Sequence, residues 1–121
     1  MPLNEVREAI ESQYIGTCDI IELQNSTNPI TKLEESVEVV VKEKQPCRKS
    51  YKNISSASDG EENAKVTQII ELFIAPEISI KPGSKIIVTQ NGETVTYTRS
   101  GEAAKYETHQ QIILDLWKGW A

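Results

Sequence analysis

Residues 84–99 read Ser-Lys-Ile-Ile-Val-Thr-Gln-Asn-Gly-Glu-Thr-Val-Thr-Tyr-Thr-Arg, and this stretch decides the fold class. Asn91-Gly92 at its centre is the strongest short hairpin signal, because both central positions of the favoured two-residue turn need positive φ. A two-residue loop pairs Gln90 with Glu93. The register then sets Val88 opposite Val95, Ile86 opposite Tyr97, Thr89 opposite Thr94 and Ile87 opposite Thr96. One face is apolar and the other mainly hydroxylic, the pattern of a hairpin laid on a core.

Working outward, Pro82-Gly83 predicts a turn just before the hairpin and Ser100-Gly101 another just after it. Residues 106–117 are expected to return as a strand with Ile112, Leu114 and Leu116 inward. Upstream, Val66–Ala75 is apolar on both faces, as a strand covered on two sides would be. Val37, Val39 and Val41 alternate with Glu38 and Lys42, giving a half-buried strand that continues through Cys47 to Tyr51, with Pro46 at a bulge or an edge. Thr17–Leu23 reads as a first strand, and Asn25 to Asn28 with Pro29 as the loop after it. Only the N-terminal segment has helical spacing, with Leu3, Val6, Ile10 and Tyr14 on one face, Asn4 able to cap and Gly16 ending the helix. The expectation is mainly β: a small five- to six-stranded antiparallel β-barrel or sandwich with one short N-terminal helix and a long polar loop. That loop is residues 52–64, which hold one large apolar side chain, Ile54, and too little buriable surface to offset their ordering entropy.

The whole chain of 121 residues is the size of one domain, and no internal repeat divides it. With 18 acidic and 13 basic residues its formal charge is −5, so it lacks the counterion-release term behind most non-specific nucleic-acid affinity. A wall that DNA passes without sticking is compatible with that charge. No apolar run is long enough to span a bilayer, and Met1–Ile10 lacks a secretory pattern.

Catalytic chemistry finds few candidates. His109 is the single histidine, flanked by Thr108, Gln110 and Gln111 rather than by an acid, and reads as a surface or interface residue. Cys18 and Cys47 are too few for a disulfide scaffold and are expected as buried thiols. Together with His109 they offer only three ligands on three elements, so no metal site or cofactor is expected. The Gly-containing turns do not precede a helix as a phosphate-binding loop does. Asp59, Glu61 and Glu62 lack the rest of a calcium-loop pattern and read as a solvated run. An enzyme is therefore not expected. Trp117 and Trp120, close to the last residue, are candidate subunit-interface anchors, amphipathic aromatics of the kind that serve that role.

The stretches Leu72-Phe73-Ile74-Ala75-Pro76-Glu77, Ile80-Lys81-Pro82-Gly83-Ser84-Lys85-Ile86, Val88-Thr89-Gln90-Asn91-Gly92 and Tyr106-x-x-His109-Gln110 resemble a family of phage and prophage structural proteins, the PBSX-like prophage family. Tyr14-Ile15-Gly16-Thr17-Cys18 and Gln45-Pro46-Cys47-Arg48 extend the resemblance over nearly the whole chain. It implies a head–tail connector of stopper, neck or head-completion type, resident in the virion and assembled in the bacterial host cytoplasm. Such a subunit forms a homo-oligomeric ring, hexameric or dodecameric, around the DNA channel, between a portal–adaptor ring and the tail terminator or other tail proteins. DNA traverses the lumen without sequence-specific binding, and no membrane is involved. The resemblance also implies a channel or gate role for Ser55, Ser56, Asp59, Gly60, Glu61 and Glu62 in the polar loop. A tail-terminator or tail-tube subunit is the alternative. An OB-like module for single-stranded nucleic acid is a third reading, disfavoured by the acidic charge and the shortage of aromatics.

Overall fold

The computed structural model describes residues 3–56 and 65–120. One helix, α1 (Leu3–Glu11), precedes six strands: β1 (Gly16–Thr27), β2 (Glu34–Ser56), β3 (Lys65–Ile74), β4 (Lys85–Gln90), β5 (Glu93–Lys105) and β6 (Gln110–Leu116). Every pairing is antiparallel, and the order β1-β2-β3-β6-β5-β4 closes on itself through β1 and β4. The expected mainly β architecture, a small barrel with one short helix, is what the chain adopts.

The β4–β5 hairpin takes the register its sequence specifies, from Gln90↔Glu93 to Ile86↔Tyr97. Asn91 (φ 53°) and Gly92 (φ 78°) supply the left-handed turn, and the Thr89 and Thr94 hydroxyls meet at 3.0 Å on the outer face. Ile86, Val88 and Tyr97 point the other way into the core, alongside Cys18, Ile20, Cys47, Leu72, Ile74, Ile112 and Leu114.

Two long strands close the barrel by changing partner midway. The first half of β2 pairs with β1 as far as Gly16↔Cys47, and from Cys47 onward it pairs with β3. Likewise β5 pairs with β4 up to Thr98 and with β6 from Tyr97 onward. Extra residues accompany each switch, since bulges bend a strand and raise its twist. In β2 the register slips between Cys18/Ile20 and Ile20/Ile21, Lys44 adopts φ 50°, and its N–H donates to Asp19 Oδ1 at 2.8 Å. In β5 the slip lies between Ser100 and Ala104, Gly101 adopts φ 67°, and the Arg99 guanidinium bonds the Gly101 and Ile80 carbonyls. The Ala75–Ile80 segment covers one opening with Ala75, Ile78 and Ile80, held by the buried Gln110 amide on the Ala75 and Ile78 carbonyls.

Several local expectations are corrected. Asn25 to Thr27 belong to β1, because β2 offers them ladder partners down to Thr27↔Glu34; the turn lies at residues 28–33, where Asn28 Oδ1 accepts from the Ile30 N–H at 2.8 Å. Ser100-Gly101 is the β5 bulge rather than a chain reversal. The reversal comes at residues 106–109, closed by the Tyr106 N–H on the His109 carbonyl at 2.8 Å. Leu116 shares a strand face with Ile112 and Leu114 but lies past the end of the β3 ladder, and is 60% exposed. Gly16 opens β1 instead of ending the helix; a Cβ there would come within 3.0 Å of the Thr89 carbonyl and the Gln90 side chain.

Helix α1 is half-buried through Val6 and Ile10. Polar ties join this end of the chain to the barrel: Arg7, bonded within the helix to Glu11, bridges Glu77, and Arg48 donates at 3.0 Å to Oε1 of Gln13, just past the helix. The Glu77 carboxyl is held below the usual carboxylate range by the Arg7 guanidinium.

Candidate functional site

The residues that sequence marks for chemistry are dispersed. Cys18 and Cys47 are buried free thiols on adjacent strands, as expected, and the neighbouring Cys47 thiol together with burial pushes the Cys18 thiol far up. His109 sits in the 106–109 turn, stacked on Tyr106 at 4.8 Å and tilted against Phe73 at 6.1 Å, with Thr108 and Gln111 beside its ring nitrogens. Among the described residues no cluster of three or more His, Cys, Asp or Glu is placed to hold a metal ion.

One polar cluster escaped the sequence reading. Lys49, only 5% exposed, points inward from β2, and its Nζ donates to the Tyr97 hydroxyl at 3.1 Å while lying over the Tyr51 and Tyr97 rings. Burial pulls its pKa down, but the Tyr51 and Tyr97 hydroxyls more than offset that, and the ammonium stays above the ordinary lysine range. Burial raises Tyr97, whereas Lys49 lowers the half-exposed Tyr51. The Lys49 backbone is clasped as well: the Gln90 amide accepts its N–H at 2.7 Å and donates to its carbonyl at 3.0 Å. Since β1 begins at Gly16, opposite Cys47, this one side chain spans the seam between β2 and β4 that a longer β1 would fill. A lysine in an alternating strand reads as a solvent-facing residue, so no pattern announced this cluster.

The strands leave the barrel at two places. The β1–β4 ladder stops at Ile21↔Lys85, but β1 and β2 stay paired to Thr27↔Glu34, forming a two-stranded ribbon. Similarly the β3–β6 ladder stops at Ile70↔Leu114, whereas β2 and β3 stay paired to Ser56↔Lys65, forming a second stem. Residues 52–56 are therefore strand rather than loop, because Lys65–Ile69 offer them a full ladder. Ser55 and Ser56, expected in a channel loop, lie on this stem; Asp59, Gly60, Glu61 and Glu62 lie outside the described residues.

Each ribbon has an unpaired edge with a groove beside it. Next to Glu22–Asn25 runs a groove of about 490 Å³, its far wall made by Lys81–Ser84 and Trp120. Next to Gln68 and Ile70 is a wedge of about 730 Å³, floored by Leu114 and bordered by Leu116, Trp117 and Gly119. Trp117 and Trp120 pack edge-to-face at 4.5 Å between the two grooves. Both are half-buried within their own chain. Trp120 Nε1 donates to Glu38 Oε1 at 2.9 Å, and Lys85 lies over the Trp117 ring and bridges Glu38 at 3.3 Å. The Trp120 and Lys85 donors hold the Glu38 carboxyl below its usual range. The first ribbon also carries exposed Leu23, Ile30 (90%), Leu33 (66%), Val37 and Val40. Half-buried tryptophans, bare apolar side chains and open edges are the vocabulary of contact surfaces.

No family model matches the chain and no curated protein matches it. One solved structure that superposes on it is the phage-like element PBSX protein xkdH from Bacillus subtilis, at 15% identity, covering 86% of this chain and 96% of that one with a TM-score of 0.48. That likeness is one of outline and assigns no role.

Proposed function

We propose that the chain is a non-catalytic structural subunit of a tailed-phage or prophage particle, a head–tail connector of stopper or neck type. The observation that carries this reading is a closed barrel from which two strand pairs extend with open edges, flanked by a tryptophan pair and bare apolar residues. The polar interior cluster, Lys49 with Tyr97, is used up in internal bonds. The turn and strand-edge motifs in the sequence, which resemble phage and prophage structural proteins, point the same way.

In this reading identical copies form a ring, hexameric or dodecameric, between a portal–adaptor ring and the tail. The net charge of −5 keeps DNA moving through the lumen rather than adsorbed to it. The β2–β3 stem carries residues 57–64, with Asp59, Glu61 and Glu62, toward the channel as a gate.

An electron cryo-microscopy map of complete particles tests the position: density for this barrel around the axis between head and tail supports it, and density at the tail end would make the chain a tail terminator instead. Deleting residues 57–64 tests the gate. Intact particles that lose their DNA are expected, and particles that retain it would remove the gate.

A further inference from the structure

Two of the open strand edges, one on each ribbon, are unalike, and their differences fit them to each other. The first, Glu22–Thr27 of β1, belongs to a ribbon (residues 22–39) whose own charges are Glu22, Glu34, Glu35 and Glu38 against Lys32, with Lys81 bridging Glu22 and Lys85 bridging Glu38 from the barrel. The second, Lys65–Ile69 of β3, belongs to a stem whose other strand is Lys52–Ser56 of β2, and its charges are Lys52 and Lys65 with no acid. The edges are of nearly equal length. Among the described residues, neither pairs with any strand but its β2 partner.

From this we infer that subunits join by strand addition, the β1 edge of one copy lying along the β3 edge of the next, so that one sheet runs across the junction. A strand edge binds another through its unspent N–H and C=O groups, while side chains set the choice of partner. Here opposite charge favours edge one on edge two over either edge on its own kind. A contact between two different patches of the same chain is heterologous, and it propagates into a ring where the rotation closes. Trp120 walls the first groove and Trp117 the second, so the tryptophan pair sits beside both junctions of each subunit. Residues 57–64 take no part. The inference rests on the ring reading above and names the surfaces that would make the ring.

Cysteine cross-linking of the full chain tests it. Gln24→Cys marks the first edge and Gln68→Cys the second; both positions are exposed, whereas Cys18 and Cys47 are buried. Under mild oxidation by a soluble disulfide, a mixture of the two single variants is expected to give the mixed dimer roughly tenfold faster than either variant gives its own dimer, because pairing raises the local thiol concentration. The unsubstituted chain should stay uncross-linked, and the Gln24→Cys/Gln68→Cys chain should give a ladder of higher species ending in a closed ring. Homodimers as fast as the mixed dimer overturn the inference. So does the absence of any cross-link in the mixture, which would give these edges to a different protein. A ladder in solution with no density for the chain at the particle axis would remove the connector reading and leave strand addition standing. A ring in the map with both edges bare would do the reverse.

Discussion

The two halves of β2 share a backbone and little else. Residues 34–43 pair with β1, carry Glu34, Glu35, Glu38 and Glu43 against Lys42, and lead out to a tip where Ile30 and Leu33 are bare. Residues 47–56 pair with β3, carry bases only, and turn Cys47 and Lys49 into the core. Between them lies the bulge at Lys44, pinned by Asp19. The contrast teaches that a strand can belong to the barrel and to its surroundings in alternation. Where it lines the closed barrel, alternate side chains are buried; where it runs out along the acidic ribbon, both faces meet solvent and charge is free to accumulate.

That contrast predicts a gradient of mutational cost. The largest effect is expected inside the barrel: Leu72→Ala on β3, fully buried, should cost about 2–5 kcal/mol, measured by denaturant unfolding. Gln68→Ala, four residues away on the stem, should stay within about 0.5 kcal/mol. Equal costs for the two would break the division between barrel and ribbon.

The Gln90 clasp comes next. Gln90→Ala removes both bonds to the Lys49 backbone and should cost roughly 1–3 kcal/mol, with faster hydrogen exchange at the Lys49 amide as its local signature. Unchanged exchange there would show that the seam is held by something else. At the hairpin tip, Gly92→Ala forces a side chain into φ 78° and should cost about 1–2 kcal/mol without altering the ladder, read from the same unfolding experiment.

The smallest effect belongs to the acidic ribbon. Glu38 has its pKa depressed in the fold by Trp120 and Lys85, so the stability it contributes is present above the ordinary carboxylate range and is lost as pH falls through its lowered folded value. Trp120 fluorescence should change as pH falls through that acid window, and Glu38→Gln should abolish the transition. A transition surviving in the variant would detach Trp120 from this carboxylate.

The sequence made the β4–β5 hairpin fully legible because turn and register are local there: Asn91-Gly92 fixes the reversal, and period-two alternation fixes the faces. Gln24, Asn25 and Ser26 gave the opposite lesson. They are polar and exposed, and only the partner strand tells the backbone to stay extended through them. Ser100-Gly101 carries turn residues because a bulge needs the same positive φ as a turn. Trp117 and Trp120 stood out in the sequence as aromatics, but the wedge that Trp117 borders exists only once β3 and β6 part beyond Ile70↔Leu114. Lys49 was hidden because its two tyrosine neighbours and its amide clasp come from β2, β4 and β5 together.

β2 runs uninterrupted for 23 residues, a span of no more than about 75 Å. Both projecting ribbons are therefore ends of one covalent strut, with no hinge loop between them. Tension applied at the Thr27–Glu34 end would reach the Ser56 end through one continuous backbone, resisted in shear by the β1 ladder on one half and the β3 ladder on the other. Such a pull crosses the Lys44 bulge on its way from the β1-paired half to the β3-paired half.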